Sequence, residues 1–138
     1  MTSISLDQLL EPDWALQSIS LPHKPQITLA AFTTLSLGAA VTASGTGNSV
    51  SLTSGNDILN ASVSNVSTND LFMQSVNGNI GLVGSHIVTS AANLRAIAAG
   101  NVYIDSSTPV ILGNSSAGNT NTFSLETVDA GESITIAG

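Results

Sequence analysis

Any chemistry in this chain has to come from few side chains: nine carboxylates, two histidines and two basic residues among 138. His23 and His86 stand far apart, there is no His-x-His pair, and cysteine is absent. Zinc and iron sites need clustered His, Cys or carboxylate ligands. No metal or other cofactor is therefore expected; only a three-fold axis gathering three copies of His86 would change that. Paired carboxylates on one face would suit glycan cleavage, one as general acid and the other as base or nucleophile. The candidates are Asp57, Asp70 and Asp105, with Glu126, Asp129 and Glu132 nearer the end. Asp57 and Asp105 occupy different offsets in their local phrases, so no column of acids emerges, and solvated charge is the simpler reading. No nucleophile elbow, phosphate loop or dinucleotide fingerprint occurs. The expectation is a non-enzymatic protein, with polysaccharide cleavage as the enzymatic alternative.

The elements that would position these groups are written in a repeat. Gly55-Asn56-Asp57-Ile58, Gly78-Asn79-Ile80-Gly81-Leu82 and Gly100-Asn101-Val102-Tyr103-Ile104 each set a Gly-Asn corner before a short apolar alternation, 22 to 23 residues apart. A second series, Asn69-Asp70-Leu71-Phe72-Met73 and Asn93-Leu94-Arg95-Ala96-Ile97, lies between them. Self-similarity at such a period marks stacked repeats. Asn suits corners because it tolerates left-handed backbone and bonds locally. From Ile27 to Val41 the apolar residues fall on odd positions, the period of a strand or broken pair of strands with one buried face; Phe32 falls on the other face, as a subunit contact or an exposed aromatic. Further strands are predicted at 49–53, 57–61, 70–74, 79–83, 86–89, 93–97, 101–104, 109–112, 122–127 and 132–136. The segment from Ser115 to the end is expected to fold back as a cap or form a tip. Ser54-Gly55-Asn56-Asp57 has the composition of a calcium-binding turn, but such turns work in tandem, and this one has no second copy.

Composition narrows the partners. Charged residues make up 8% and aromatic residues 4%, and the formal net charge is −7. Nucleic acid and anionic membrane surfaces are disfavoured, since both are held chiefly by Lys and Arg. No apolar stretch is long enough for a spanning helix, and the acidic N-terminus is the reverse of a secretory signal.

Residues 1–26 differ from the rest, holding three of the four prolines and the single Trp14. Ser5-Leu6-Asp7-Gln8 reads as a capping box opening a short helix to about Leu10. One expectation is a helix packed over the end of the repeat domain. The other is an anchor in which Leu9, Leu10 and Trp14 insert into a larger partner. The domain division is thus an N-terminal arm at 1–26 and a β-rich domain at 27–138.

The phrases at Gly78–Ser85 and Ala99–Asp105 resemble β-solenoid repeats of two groups: spike, fibre and tail proteins of viruses and phages, and haemagglutinin-type bacterial adhesins. The resemblance covers roughly residues 47–112 and is compositional. It implies an all-β fold, a short β-solenoid or an intertwined trimeric β-helix with an N-terminal arm; a β-sandwich or jelly roll is the alternative. It further implies a homotrimeric structural protein on a virion surface, anchored to a capsid or other virion protein and presented to a host glycan or receptor. The alternative is an adhesin or filament-forming module, on a bacterial surface or secreted. Trimerisation has its own physical argument, because thin coils of small residues bury little alone and open strand edges invite pairing.

Overall fold

The structure is a computed structural model and describes residues 3–5, 19–21, 26–45, 47–62 and 65–137. It is a β-solenoid of about five turns. The strands are β1 (Ser3–Ser5), β2 (Ile19–Leu21), β3 (Gln26–Ala31), β4 (Leu35–Leu37), β5 (Val41–Ala43), β6 (Ser49–Ser54), β7 (Ile58–Asn60), β8 (Asn65–Ser67), β9 (Asp70–Ser75), β10 (Ile87–Thr89), β11 (Asn93–Ala98), β12 (Val102–Ser106), β13 (Val110–Leu112), β14 (Phe123–Thr127) and β15 (Ile134–Ile136). The first sheet runs β1-β3-β6-β9-β11-β13-β15, and the second β14-β12-β10-β8-β5-β2. A third, narrow face pairs β4 with β7 and continues through single bridges from Ile58 to Ile80 and from Ile80 to Val102. All pairings between these strands are parallel, which excludes the antiparallel sandwich or jelly roll.

The odd-position alternation from Ile27 to Val41 is one whole coil rather than one strand. β3, β4 and β5 take it around three faces, and each corner keeps the parity, so Ile27, Leu29, Leu35, Leu37 and Val41 all point inward. Register then stacks like on like. One core column runs Ile27, Val50, Leu71, Leu94, Leu112 and Ile136, and a second runs Leu29, Leu52, Met73 and Ala96. Each fully buried Leu or Ile contributes about 2 kcal/mol. The core closes within one chain, so of the two expected forms the short single-chain solenoid is the one observed. It also removes the premise that thin coils need intertwined neighbours to bury their apolar residues.

Corners are held by side chains that replace missing backbone partners. Asp57 Oδ1 accepts the backbone N–H of Asn79 at 2.7 Å and its side-chain amide at 3.0 Å. Asn79 Oδ1 accepts the same two donors from Asn101, at 2.8 and 3.3 Å, and Asn101 Oδ1 accepts the Thr122 N–H at 2.9 Å. This ladder explains the Gly-Asn phrase. A methyl on Gly78 would overlap Asp57 Oδ1, and one on Gly100 would overlap Asn79 Oδ1, so the residue before each ladder amide must be glycine. The sequence alignment of the phrases is off by one in the first copy: Asp57, not Asn56, holds the ladder position. Gly55 serves another purpose, lying against the Phe32 backbone. At a second corner, buried Asn48 accepts from Thr68 Oγ1 at 3.2 Å and from the Asn69 N–H, and donates to the Ala43 carbonyl.

Three expectations need correction. No strand spans 79–83: Ile80 makes only isolated bridges, to Ile58 and Val102, and the chain then reverses between Leu82 and Ser85, which exchange backbone bonds of 3.0 and 2.9 Å. Gly81 and Gly84, at φ of 72° and 78°, permit that reversal. The segment after Ser115 continues the solenoid as β14 and β15 and does not fold back as a cap. Ser5, expected to cap a helix, belongs to β1; the rest of that helix, with Leu9, Leu10 and Trp14, lies outside the described residues. β1 and β2, both within 1–26, pair with β3 and β5.

Candidate functional site

Two outward faces gather the side chains capable of chemistry. On the first sheet, β9 and β11 lie in register, so Asp70 stands beside Asn93 and Phe72 beside Arg95. Asn93 Nδ2 donates to Asp70 Oδ1 at 2.7 Å. The Arg95 guanidinium lies over the Phe72 ring, 4.9 Å from its centroid, a cation–π arrangement. These four line a shallow concavity of about 500 Å³, with Ser49 and Ser51 on one side and Ile111, Gly113 and Ala137 on the other. Arg95 forms no ion pair with a described carboxylate; the one pair among the described residues is His86 with Asp105.

That pair sits on the second sheet. The six residues between Ile80 and Ile87 carry His86 over β12, where Nδ1 meets Asp105 Oδ1 at 2.6 Å and the imidazole stacks on Tyr103 at 5.5 Å between centroids. The loop is fastened at its base: Asn60 Nδ2 donates to the His86 carbonyl at 3.0 Å and Ser85 Oγ to the Asn60 carbonyl at 3.2 Å. Asp105 stands opposite Glu126 in register, and Ser124 Oγ donates to Glu126 Oε1 at 3.2 Å.

Of the carboxylate candidates the structure brings two together, Asp105 and Glu126, side by side on the outward face of the second sheet; the others are scattered. Asp57 is an acceptor in the corner ladder, Asp70 faces outward on the first sheet and Asp105 faces outward on the second, so no two of the three share a face. Asp129 and Glu132 belong to the turn before β15, where the Glu132 N–H reaches back to the Asp129 carbonyl at 3.4 Å. Among the described residues no three His, Asp or Glu groups are placed to hold a metal ion, and His23 is outside them. Sequence reasoning missed Phe72 and Arg95 as a pair, and His86 with Tyr103 and Asp105. The first was hidden by a shift of one: Phe72 stands three residues after Asn69 and Arg95 two after Asn93, and only the register that sets Leu94 on Leu71 brings them side by side. The second had no signal, because its register depends on how many residues the 81–86 loop consumes.

No protein-family model, no curated protein and no solved structure matches this chain.

Proposed function

We propose that the chain is a non-enzymatic structural protein of a virus or phage particle, a shaft segment of a spike or fibre on the virion surface. The observation that carries this reading is the in-register stack of parallel coils, about five turns with like residues over like. β14 and β15 end their sheets with unpaired edges, and Ile136, in line with the core column, is 67% exposed, with Ile134 and Val128 also exposed. A stack of equal coils advances about 4.8 Å per strand, and apolar edges of this kind are completed by another β-coil. Residues 1–26, with Leu9, Leu10 and Trp14, would anchor the shaft to its particle.

Replacing Ile136 with Lys places a charge at that edge and should abolish end-on association while leaving the melting temperature of the single chain unchanged. Light scattering after size exclusion checks it. Wild type must run as a multiple of 13.9 kDa that the variant loses. A wild-type monomer at every concentration ends the shaft reading.

A homotrimer, in this geometry, forms by side-to-side packing. Phe32 is 96% exposed, and with Val76 it flanks an apolar notch of about 270 Å³ above Gly55. Phe32→Ser is expected to convert trimer to monomer at a cost within about 0.5 kcal/mol to the monomer's own stability; an unchanged mass would remove this corner from any trimer contact.

The second reading, a filament-forming or adhesin module, is favoured by the matching of the two ends. β1 and β2 are the outer strands at one end of the same two sheets that β15 and β14 close at the other. A head-to-tail contact of that kind does not close on itself and grows into a filament. Electron microscopy of the concentrated protein separates discrete particles from fibres.

A further inference from the structure

We propose that the concavity on the first sheet binds an acidic glycan, a linear sugar chain bearing carboxylates of the uronic-acid kind. In the middle of the stack the backbone of β6, β9 and β11 is fully engaged with neighbouring strands. An extended peptide, which binds a sheet by adding to its edge, finds no edge there. Recognition has to come from side chains, and their polarity is segregated.

At one end are acceptors. Asn93 gives one amide N–H to Asp70, which leaves its carbonyl oxygen and a second carboxylate oxygen as acceptors beside a single remaining N–H. Such a pair suits hydroxyl donors and repels anions. Two residues along the same strands stands the donor, Arg95, the only Lys or Arg among the described residues. It has no described carboxylate partner and is steadied by Phe72 rather than by a counter-ion. A planar guanidinium held this way is suited to bidentate capture of a carboxylate. Hydroxyls at one end and a carboxylate at the other describe a sugar acid. The hydroxyls of Ser49 and Ser51 extend the polar surface to the next coil, and coils about 4.8 Å apart come close to the advance per unit of an extended pyranose chain. Nucleic acid offers anions as well, but a chain of net charge −7 with one guanidinium on this face has nothing further to neutralise phosphates. The inference goes beyond the shaft reading and does not depend on it.

The test is an NMR titration of the whole chain with tetragalacturonate and, separately, with its methyl ester, in which each carboxyl is masked. Wild type should bind the acid, with shifts at Asp70, Phe72, Asn93 and Arg95. Arg95→Gln should weaken that binding about tenfold or more, and the ester should bind wild type no better than the acid binds the variant. Asn119→Asp, an exposed corner outside the concavity that lowers the net charge by the same amount, should bind like wild type. Arg95 is exposed, so its variant should keep the fold, as circular dichroism will verify. Absence of binding at millimolar acid, equal binding by Arg95→Gln, equal binding of the ester, or an equal loss in Asn119→Asp would each overturn the proposal.

Discussion

Gly55→Ala is expected to destabilise the fold by about 3 kcal/mol or more, and thermal unfolding should register a fall on the order of 10 °C. The position does not need glycine for its backbone angles, since it is not among the residues with positive φ. It needs glycine for space. The Gly55 N–H donates to the Ala31 carbonyl at 2.9 Å, holding this corner against the coil before it. A methyl built on Gly55 would overlap the carbonyl group of Phe32 and touch its Cα, all backbone atoms. A rotamer change cannot relieve that overlap. The two coils would have to part, and six paired residues between β3 and β6 resist. Gly84→Ala is the matched comparison. There φ is 78° and open space surrounds the added methyl, so only the left-handed backbone is penalised, about 1–2 kcal/mol. Gly55→Ala must therefore melt below Gly84→Ala; the reverse order would mean that close stacking does not limit this corner.

The same contrast marks what could be read from the residues alone. Inward positions were legible, because parity survives the corners at Thr33 and Ala39 and a period of two identifies Leu29, Leu35, Leu37 and Val41 without knowledge of where the chain turns. The coil period was legible from the Gly-Asn phrases, for the reason now visible in the ladder: each amide lies over the glycine of the next coil. Register was not legible. Asn56 and Asp57 are both plausible corner residues, and only the stacking of Ile58 on Ile80 selects the second. The strand expected at 79–83 failed because Leu82 looks like a core residue. It is spent on a reversal that the glycines at 81 and 84 allow, leaving Leu82 and Val83 exposed. The Phe72–Arg95 contact was not legible either: the two stand at offsets of three and two from Asn69 and Asn93, and they meet only because β9 and β11 pair in the register that sets Asp70 beside Asn93.

Asn79→Ala is expected to cost about 2–3 kcal/mol. Three hydrogen bonds disappear: the one Asn79 Nδ2 gives to Asp57, and the two Asn79 Oδ1 accepts from Asn101. The Asn79 backbone N–H keeps its bond to Asp57, so the loss falls on the next coil, where the Asn101 N–H is left half-buried without an acceptor. Asn79→Asp should be no better at neutral pH. It restores the acceptor for Asn101, but it removes the donor and sets a second carboxylate against Asp57, where like charges in contact are unfavourable. Asp57→Ala removes the acceptor of both Asn79 donors, and with Asn79→Ala and the double variant it forms a double-mutant cycle read by chemical denaturation. The side-chain bond from Asn79 to Asp57 is the one interaction that both single variants lose, so the double variant should be more stable than the sum of the two losses implies, by about 1 kcal/mol. Strict additivity would show instead that the corner depends on Asp57 for something other than its bond to the Asn79 side chain.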